Sequence, residues 1–101
     1  MKKYQSFAEF YPFYLGEHQN IICRRLHFIG SSLSLLIATY TVFTQQWILL
    51  ILVPVAGYAF AWIGHYFFEK NTPATFTYPI YSFMGDWVMF KDILIGRIKI
   101  F

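Results

Sequence analysis

Three histidines, His18, His27 and His65, are the side chains of this sequence best suited to bind a metal ion or to transfer protons near neutral pH. His65 lies about one helical turn inside the end of an uncharged apolar stretch, Trp47 to Phe68. An ionisable group at membrane depth is costly, so its presence predicts a functional site. Glu69 follows His65 by four residues, and a helix would therefore place the two side chains on one face.

Two apolar stretches must position these histidines, and each approaches the ~20 residues that a helix needs to cross a hydrocarbon core. The sequence predicts a first span over about 20–44, capped by Asn20, and a second span over 47–69. A short uncharged turn at 44–46 joins them. We therefore expect an antiparallel transmembrane helical hairpin.

The expected hairpin brings His27 and His65 to the same depth. Measured from Gln45, His27 lies 18 positions before the turn and His65 lies 20 positions after it, a difference of about 3 Å along the helix axes. Small residues, among them Gly30 and Gly64, lie beside both histidines, and such residues mark the faces on which membrane helices approach closely. The two imidazoles are therefore expected to face each other.

His18 reaches the same place only if the backbone bends. It lies nine residues before His27, which is half a turn out of phase on one straight helix. Gly16 and the cap at Asn20 permit a bend between the two histidines. The sequence thus predicts that all three histidines gather at one end of the hairpin.

The segments that flank the hairpin are expected to be membrane-associated helices. Residues 4–15 are aromatic at helical spacing, which is typical of a segment at the level of the lipid headgroups. Residues 74–98 predict either an interfacial helix or a third span, with Phe83 on its apolar face. Asp92 in this segment is interpreted as a solvated charge.

Composition predicts a membrane protein. With 57% hydrophobic and 13% charged residues, the chain has too little charge to cover a soluble domain. The net charge of +3 comes from scattered basic residues, which favours membrane lipid and excludes nucleic acid as the partner. A single cysteine excludes an internal disulfide. The predicted fold class is an all-α membrane protein, with residues 1–101 as a single membrane domain.

The positive charges predict the orientation of the hairpin. Basic residues flank its outer ends and none lies in the turn at 44–46; they are Lys2, Lys3, Arg24, Arg25 and Lys70. The positive-inside rule places both outer ends in the cytosol, at a bacterial inner membrane or, in a eukaryote, at the endoplasmic reticulum. The hairpin has little area to bury alone, which is compatible with a homo-oligomer.

Three carboxylates accompany the histidines and are candidate catalytic groups: Glu17, Glu69 and Asp86. Two or three imidazoles with a carboxylate, leaving open positions, form the ligand set of a non-haem Fe(II) oxygenase. The same ligand types bind zinc, so they do not by themselves choose between Fe²⁺ and zinc.

Two sequence blocks carry a resemblance to a known family. The pattern EHxN…RRLHFxG covers residues 17–30, and GHxxFExNxPATF covers residues 64–76. Over nearly its whole length the chain resembles the small membrane family of Fe(II)-dependent 2-hydroxy fatty acid dioxygenases. The resemblance implies that a 2-hydroxy fatty acid is shortened by one carbon (α-oxidation) with O₂ and Fe²⁺. It also implies that the histidines needed for activity fall on His18, His27 and His65.

A metal site at the cytosolic headgroup boundary could meet a fatty-acyl substrate lying in the leaflet. The candidate substrate-binding residues are Arg24, Arg25, Asn20 and Asn71. An arginine suits a carboxylate, although basic pairs beside a span are more often topology anchors. We expect the carboxylate and the 2-hydroxyl of the substrate to reach the metal and aromatic side chains to line the acyl tail.

Three other functions remain open at the level of the sequence. Two histidines at the same depth on antiparallel membrane helices could bind b-type haem as its axial ligands, and a Soret band would reveal the haem. Another metal enzyme, including a zinc enzyme, would have the same ligands. A metal-free scaffold or lipid-binding module would use the histidines as local hydrogen-bonding groups, and metal analysis distinguishes that case.

Overall fold

Helices account for the regular structure of residues 4–100. The computed structural model describes residues 4–100 and contains no strand among them, which confirms the predicted all-α class. Lys2 and Lys3, which enter the charge argument, lie outside that range. The four α-helices are α1 (Phe7–Gly16), α2 (Ile21–Thr44), α3 (Leu52–Ile63) and α4 (Pro79–Leu94). Shorter turns are the 3₁₀ helices Trp47–Ile51 and Ala74–Phe76 and the π-helix Gly64–Glu69.

Two helical segments, Ile21–Thr44 and Trp47–Glu69, are long and apolar enough to cross a membrane. Asn20 caps the first: its side-chain oxygen accepts hydrogen bonds from the N–H groups of Ile22 and Cys23, as the sequence predicted. Gln45 ends this helix in the left-handed conformation, with φ of 56°. The chain then re-enters a helix within two residues.

Small residues let α2 and the second segment approach closely. A Cβ atom built on Gly30 would lie 3.0 Å from Cβ of Phe60 and 3.1 Å from the carbonyl oxygen of Gly57. The Ser34 hydroxyl donates to the carbonyl of Val53 at 2.7 Å. These contacts pair later residues of α2 with earlier residues of the second segment. The close approach lies on the face that the small residues predicted.

Replacing Gly30 with alanine should destabilise the protein by about 1–3 kcal/mol, because the added methyl group has no room between the helices. Gly16→Ala is the matched control, since a Cβ at Gly16 meets nothing within 4 Å. We expect the melting temperature in detergent to fall for Gly30→Ala and not for Gly16→Ala. Equal melting temperatures for the two variants would contradict this packing.

The packing of α1 against α4 buries two of the N-terminal rings. Phe10 and Tyr14 are both fully buried, in a cluster with Met89 of α4, and the headgroup level of residues 4–15 stays a prediction. The reason is the shape of α4: a Cβ at Gly85 would lie 2.9 Å from the Tyr14 ring, so the missing side chain makes room for that ring.

The environment of Asp92 corrects one expectation. It is 6% exposed rather than solvated, and the Tyr11 hydroxyl donates a hydrogen bond to its carboxylate at 2.8 Å. The carboxylate is buried because a partner 81 residues away in the chain replaces water. This bond fastens α1 to α4 beside the segment that carries His18.

Candidate metal centre

Three different parts of the fold bring the histidines together. His18 lies in the break between α1 and α2, His27 lies in α2, and His65 lies in the π-helix that ends the second segment. All three are buried, at 1%, 5% and 2% exposure, and one nitrogen from each lies within 4.8 Å of the others. The ring centroids are 4.4–5.1 Å apart. The predicted convergence is therefore present in the structure.

The bend that the sequence required lies between α1 and α2. The first helix ends at Gly16 and the second begins after Asn20, so His18 does not have to follow the helical phase of His27. The Arg24 side chain stabilises the bend, because its Nε–H donates to the carbonyl oxygen of His18 at 2.7 Å.

Backbone carbonyls fix the tautomers of two histidines. Nδ1 of His18 lies 2.6 Å from the carbonyl oxygen of Tyr14, and Nδ1 of His27 lies 3.1 Å from that of Cys23. A carbonyl oxygen can only accept, so in both rings Nδ1 carries the proton and donates. In the neutral rings Nε2 is then an unprotonated acceptor.

Asn71 fixes the tautomer of the third histidine, His65. The amide nitrogen of this side chain donates to the carbonyl oxygen of Glu17 at 3.1 Å, which turns its Oδ1 towards Nδ1 of His65 at 2.7 Å. Nδ1 of His65 is therefore also the donor. All three neutral imidazoles have an unprotonated Nε2, the form in which histidine binds metals with its second nitrogen oriented by an oxygen acceptor.

A bound cation would stabilise the approach of two such nitrogens. Nε2 of His18 lies 3.0 Å from Nε2 of His27, and two lone pairs at this distance repel each other. Burial lowers the pKa of His18 well below its ordinary value, and the neighbouring His27 lowers it further, so a proton is a poor candidate. Neutral imidazole nitrogens are common ligands of divalent transition-metal ions. The donor set therefore fits a metal ion.

A π-helix at His65, which the sequence analysis missed, completes the geometry. It covers Gly64–Glu69, and the Asn71 N–H returns to the carbonyl of His65 at 3.1 Å. A Cβ at Gly64 would lie 2.9 Å from Sγ of Cys23, so this glycine lets the π-helix lie directly on α2. Such single π turns are frequent at functional sites.

The predicted carboxylates surround the cluster but do not belong to it. Among the described residues, the group that could share a metal consists of the three histidines alone. Glu69 accepts a hydrogen bond from the backbone N–H of Asn20 at 2.5 Å. Burial raises the pKa of Glu17, and the nearby Glu69 raises it further. Catalytic roles for Glu17, Glu69 and Asp86 stay predictions.

Tyr14 connects Asp86 to the histidines, a link that sequence reasoning missed. Its ring stacks on His18 with centroids 4.0 Å apart, and its hydroxyl donates to the Asp86 carboxylate. Burial is the largest of the causes that raise the pKa of Tyr14, which keeps the hydroxyl protonated as a donor. The spacing of one helical turn between Tyr14 and His18 was the available signal.

Asp86 predicts a pH dependence of stability. Burial raises the pKa of its carboxyl from 3.8 to about 7, against the opposing effect of the hydrogen bond from Tyr14. Since the folded-state pKa is the higher one, this carboxyl contributes stability that is full below about pH 4 and is lost as the pH rises through about 7. In metal-free protein, the melting temperature should therefore fall more between pH 5 and pH 8 in the wild type than in Asp86→Asn. An equal or larger fall in Asp86→Asn would contradict the burial of an ionisable carboxyl at this position.

The candidate substrate-binding side chains all contact other parts of the protein. Arg24 binds the carbonyl of His18, and Nε–H of Arg25 donates to the carbonyl of Ile100. Asn20 caps α2, and Asn71 lies between His65 and Glu17. Their contact with substrate stays a prediction.

Two cavities adjoin the histidines. The larger, of about 200 Å³, begins at His27 and follows α2 and α3 to Ser34 and Val53, with mainly apolar walls. The smaller, of about 10 Å³, touches His27 and His65 and has several polar walls. Asp86 lines both cavities. The centre thus joins an apolar cavity to a small polar one.

The family comparison covers both sequence blocks and all three histidines. The model of a family described as "2-hydroxy-palmitic acid dioxygenase Mpo1-like" matches residues 4–98. No curated protein and no solved structure gives a significant match. Because the match covers nearly the whole chain, this protein belongs to the 2-hydroxy-palmitic acid dioxygenase Mpo1-like family.

Proposed function

We propose that this protein is an Fe(II)-dependent dioxygenase that shortens a 2-hydroxy fatty acid by one carbon at the boundary between membrane and cytosol. The observation that carries the proposal is the convergence of three buried imidazoles, each of which has its Nδ1 paired with an oxygen acceptor. Family membership supplies the class of reaction.

His18, His27 and His65 would hold the iron, and three nitrogens leave further coordination positions open. A bound ferrous ion would supply the redox chemistry that a reaction with O₂ needs. The protein contributes orientation: the acceptors on the Nδ1 side stop each ring from rotating or changing tautomer. Burial of all three rings keeps bulk water away from the centre.

The larger cavity suits the acyl tail of the substrate. It extends from His27 to Ser34, a distance of about 10 Å along α2, and its far end lies at Val53. Its walls are mainly apolar and pass between the two long segments. A fatty acid whose tail lies there has its carboxyl end beside His27 and Asp86, where the two cavities meet.

The proposed topology follows from the same helices. Ile21–Thr44 and Trp47–Glu69 form an antiparallel transmembrane hairpin whose outer ends face the cytosol, as the basic residues predict. His27 and His65 lie towards those outer ends, so the metal centre lies near the headgroups and the cavity for the tail points into the leaflet.

The direct test uses the wild-type protein purified in detergent. We expect about one iron per chain and, with ferrous iron, O₂ and 2-hydroxypalmitate, a product that is one carbon shorter. A Soret band would instead support the haem protein. Zinc without turnover would support another metal enzyme, and absence of any bound metal after reconstitution would support the scaffold.

A further inference from the structure

A cavity the size of a single oxygen atom lies beside the metal centre. Its volume is about 10 Å³, close to the least space that holds one water molecule. Its walls include His27 and His65 on one side and Trp62, Ser82 and Asp86 on others. The proposed binding of iron and of the acyl tail gives no role to Trp62 or Ser82.

Trp62 lines this cavity and has an unpaired donor. Its indole Nε1–H is buried and has no hydrogen-bond partner within residues 4–100. The ring is fixed by Tyr58 and Phe76, whose centroids lie 5.5 and 5.3 Å away. A buried tryptophan N–H usually has a partner, so a ligand that accepts a hydrogen bond would remove a real energetic cost.

The other walls provide acceptors as well as a donor. The hydroxyls of Thr75 and Ser82 lie 3.1 Å apart, so one donates to the other and one hydroxyl proton remains available. One oxygen of Asp86 accepts from Tyr14, and its carboxyl group borders the cavity. An occupant that both donates and accepts satisfies these walls, whereas a methylene group can do neither and a carboxylate can only accept.

We infer that this cavity is the subsite for the 2-hydroxyl group of the substrate, with Trp62 as the donor that selects 2-hydroxy acids over unsubstituted ones. The inference rests on the proposed function and adds the residues that decide substrate specificity. The subsite adjoins both His27 and His65, so a hydroxyl in it places the C1–C2 bond at the metal centre and directs the tail into the larger cavity.

Binding under anaerobic conditions tests the subsite without turnover. Metal-loaded protein is titrated with 2-hydroxypalmitate and with palmitate, and the ratio of the two dissociation constants is compared between variants. Trp62→Phe keeps an aromatic ring but removes the N–H group. We expect the preference for the hydroxy acid to fall about two- to tenfold, the value of one hydrogen bond, with palmitate binding unchanged.

Trp47→Phe is the matched control, because Trp47 is exposed at the opposite end of the second segment and should keep the wild-type ratio. Ser82→Ala is a second variant of the subsite, for use if Trp62→Phe fails to fold, and it should lower the ratio in the same way. If Trp62 had a purely structural role, its replacement would weaken the binding of both acids equally. An unchanged ratio of dissociation constants in the subsite variants would overturn the inference.

Two further results separate the inference from the proposed function. A hydroxyl preference that survives in Trp62→Phe and disappears on metal removal would assign recognition to the metal and overturn the subsite. A wild-type protein that prefers the hydroxy acid through Trp62 but does not oxidise it would retain the subsite and reject the dioxygenase.

Discussion

Replacing His27 with alanine is expected to abolish both iron binding and one-carbon shortening of 2-hydroxypalmitate. Loss of a residue that only orients a ligand costs about 10–100-fold in metal affinity, and loss of a ligand itself should cost more. His18→Ala and His65→Ala should behave alike, since the three nitrogens lie within 4.8 Å of one another. Elemental analysis and mass spectrometry of the product measure the two losses.

The control is Thr39→Ala, an exposed position on the same helix whose hydroxyl only returns to the carbonyl of Leu35. It should keep wild-type iron content and activity. A chelator should lower the melting temperature of the wild type, because a bound metal stabilises the folded state, and should leave that of His27→Ala unchanged. Retention of iron and activity in His27→Ala or His65→Ala would remove the basis of the proposed site.

The convergence of the histidines could be predicted because it depends on simple geometry. Counting residues from Gln45 placed His27 and His65 at one depth, and small residues indicated which faces meet. Only one long-range assumption was needed, that the two apolar stretches pack against each other. For His18 the requirement of a bend between Gly16 and Asn20 was readable, although its direction was not.

The acceptors that orient the rings could not be predicted in the same way. Two are the backbone carbonyls of Tyr14 and Cys23. Every residue has a backbone carbonyl whatever its type, so the sequence gives no signal for them. The third belongs to Asn71, which directly follows the π-helix Gly64–Glu69 and Lys70. Helical periodicity assumes a uniform α-helix, so it carries no signal for such a turn.

The side-chain pairs between α1 and α4 also could not be predicted from the sequence. Asp92 was interpreted as a solvated charge, and its partner Tyr11 lies 81 residues away. Tyr14 and Asp86 are 72 residues apart. Aromatic rings at helical spacing are as compatible with a belt at the membrane surface as with a buried contact. Only the structure therefore identifies the buried partner.

Asn71→Ala should weaken metal binding by about 10–100-fold while the three ligands remain in place. Without the amide oxygen, Nδ1–H of His65 loses its acceptor, so the imidazole can rotate or exchange its tautomer away from the metal. The loss of the bond from Asn71 to the carbonyl of Glu17 also frees the segment that carries His18. Competition with a chromophoric chelator measures the affinity.

Thr72→Ala provides the comparison, because Thr72 is the exposed neighbour in the chain and should keep the wild-type affinity. Asn71→Asp restores an acceptor for His65 but not the donor for Glu17, so its affinity should lie between those of Asn71→Ala and the wild type. Saturating metal should return activity to Asn71→Ala, because only the occupancy of the site has changed. If Asn71→Ala binds metal as tightly as Thr72→Ala, the amide does not orient His65 and the tautomer must be fixed by the metal itself.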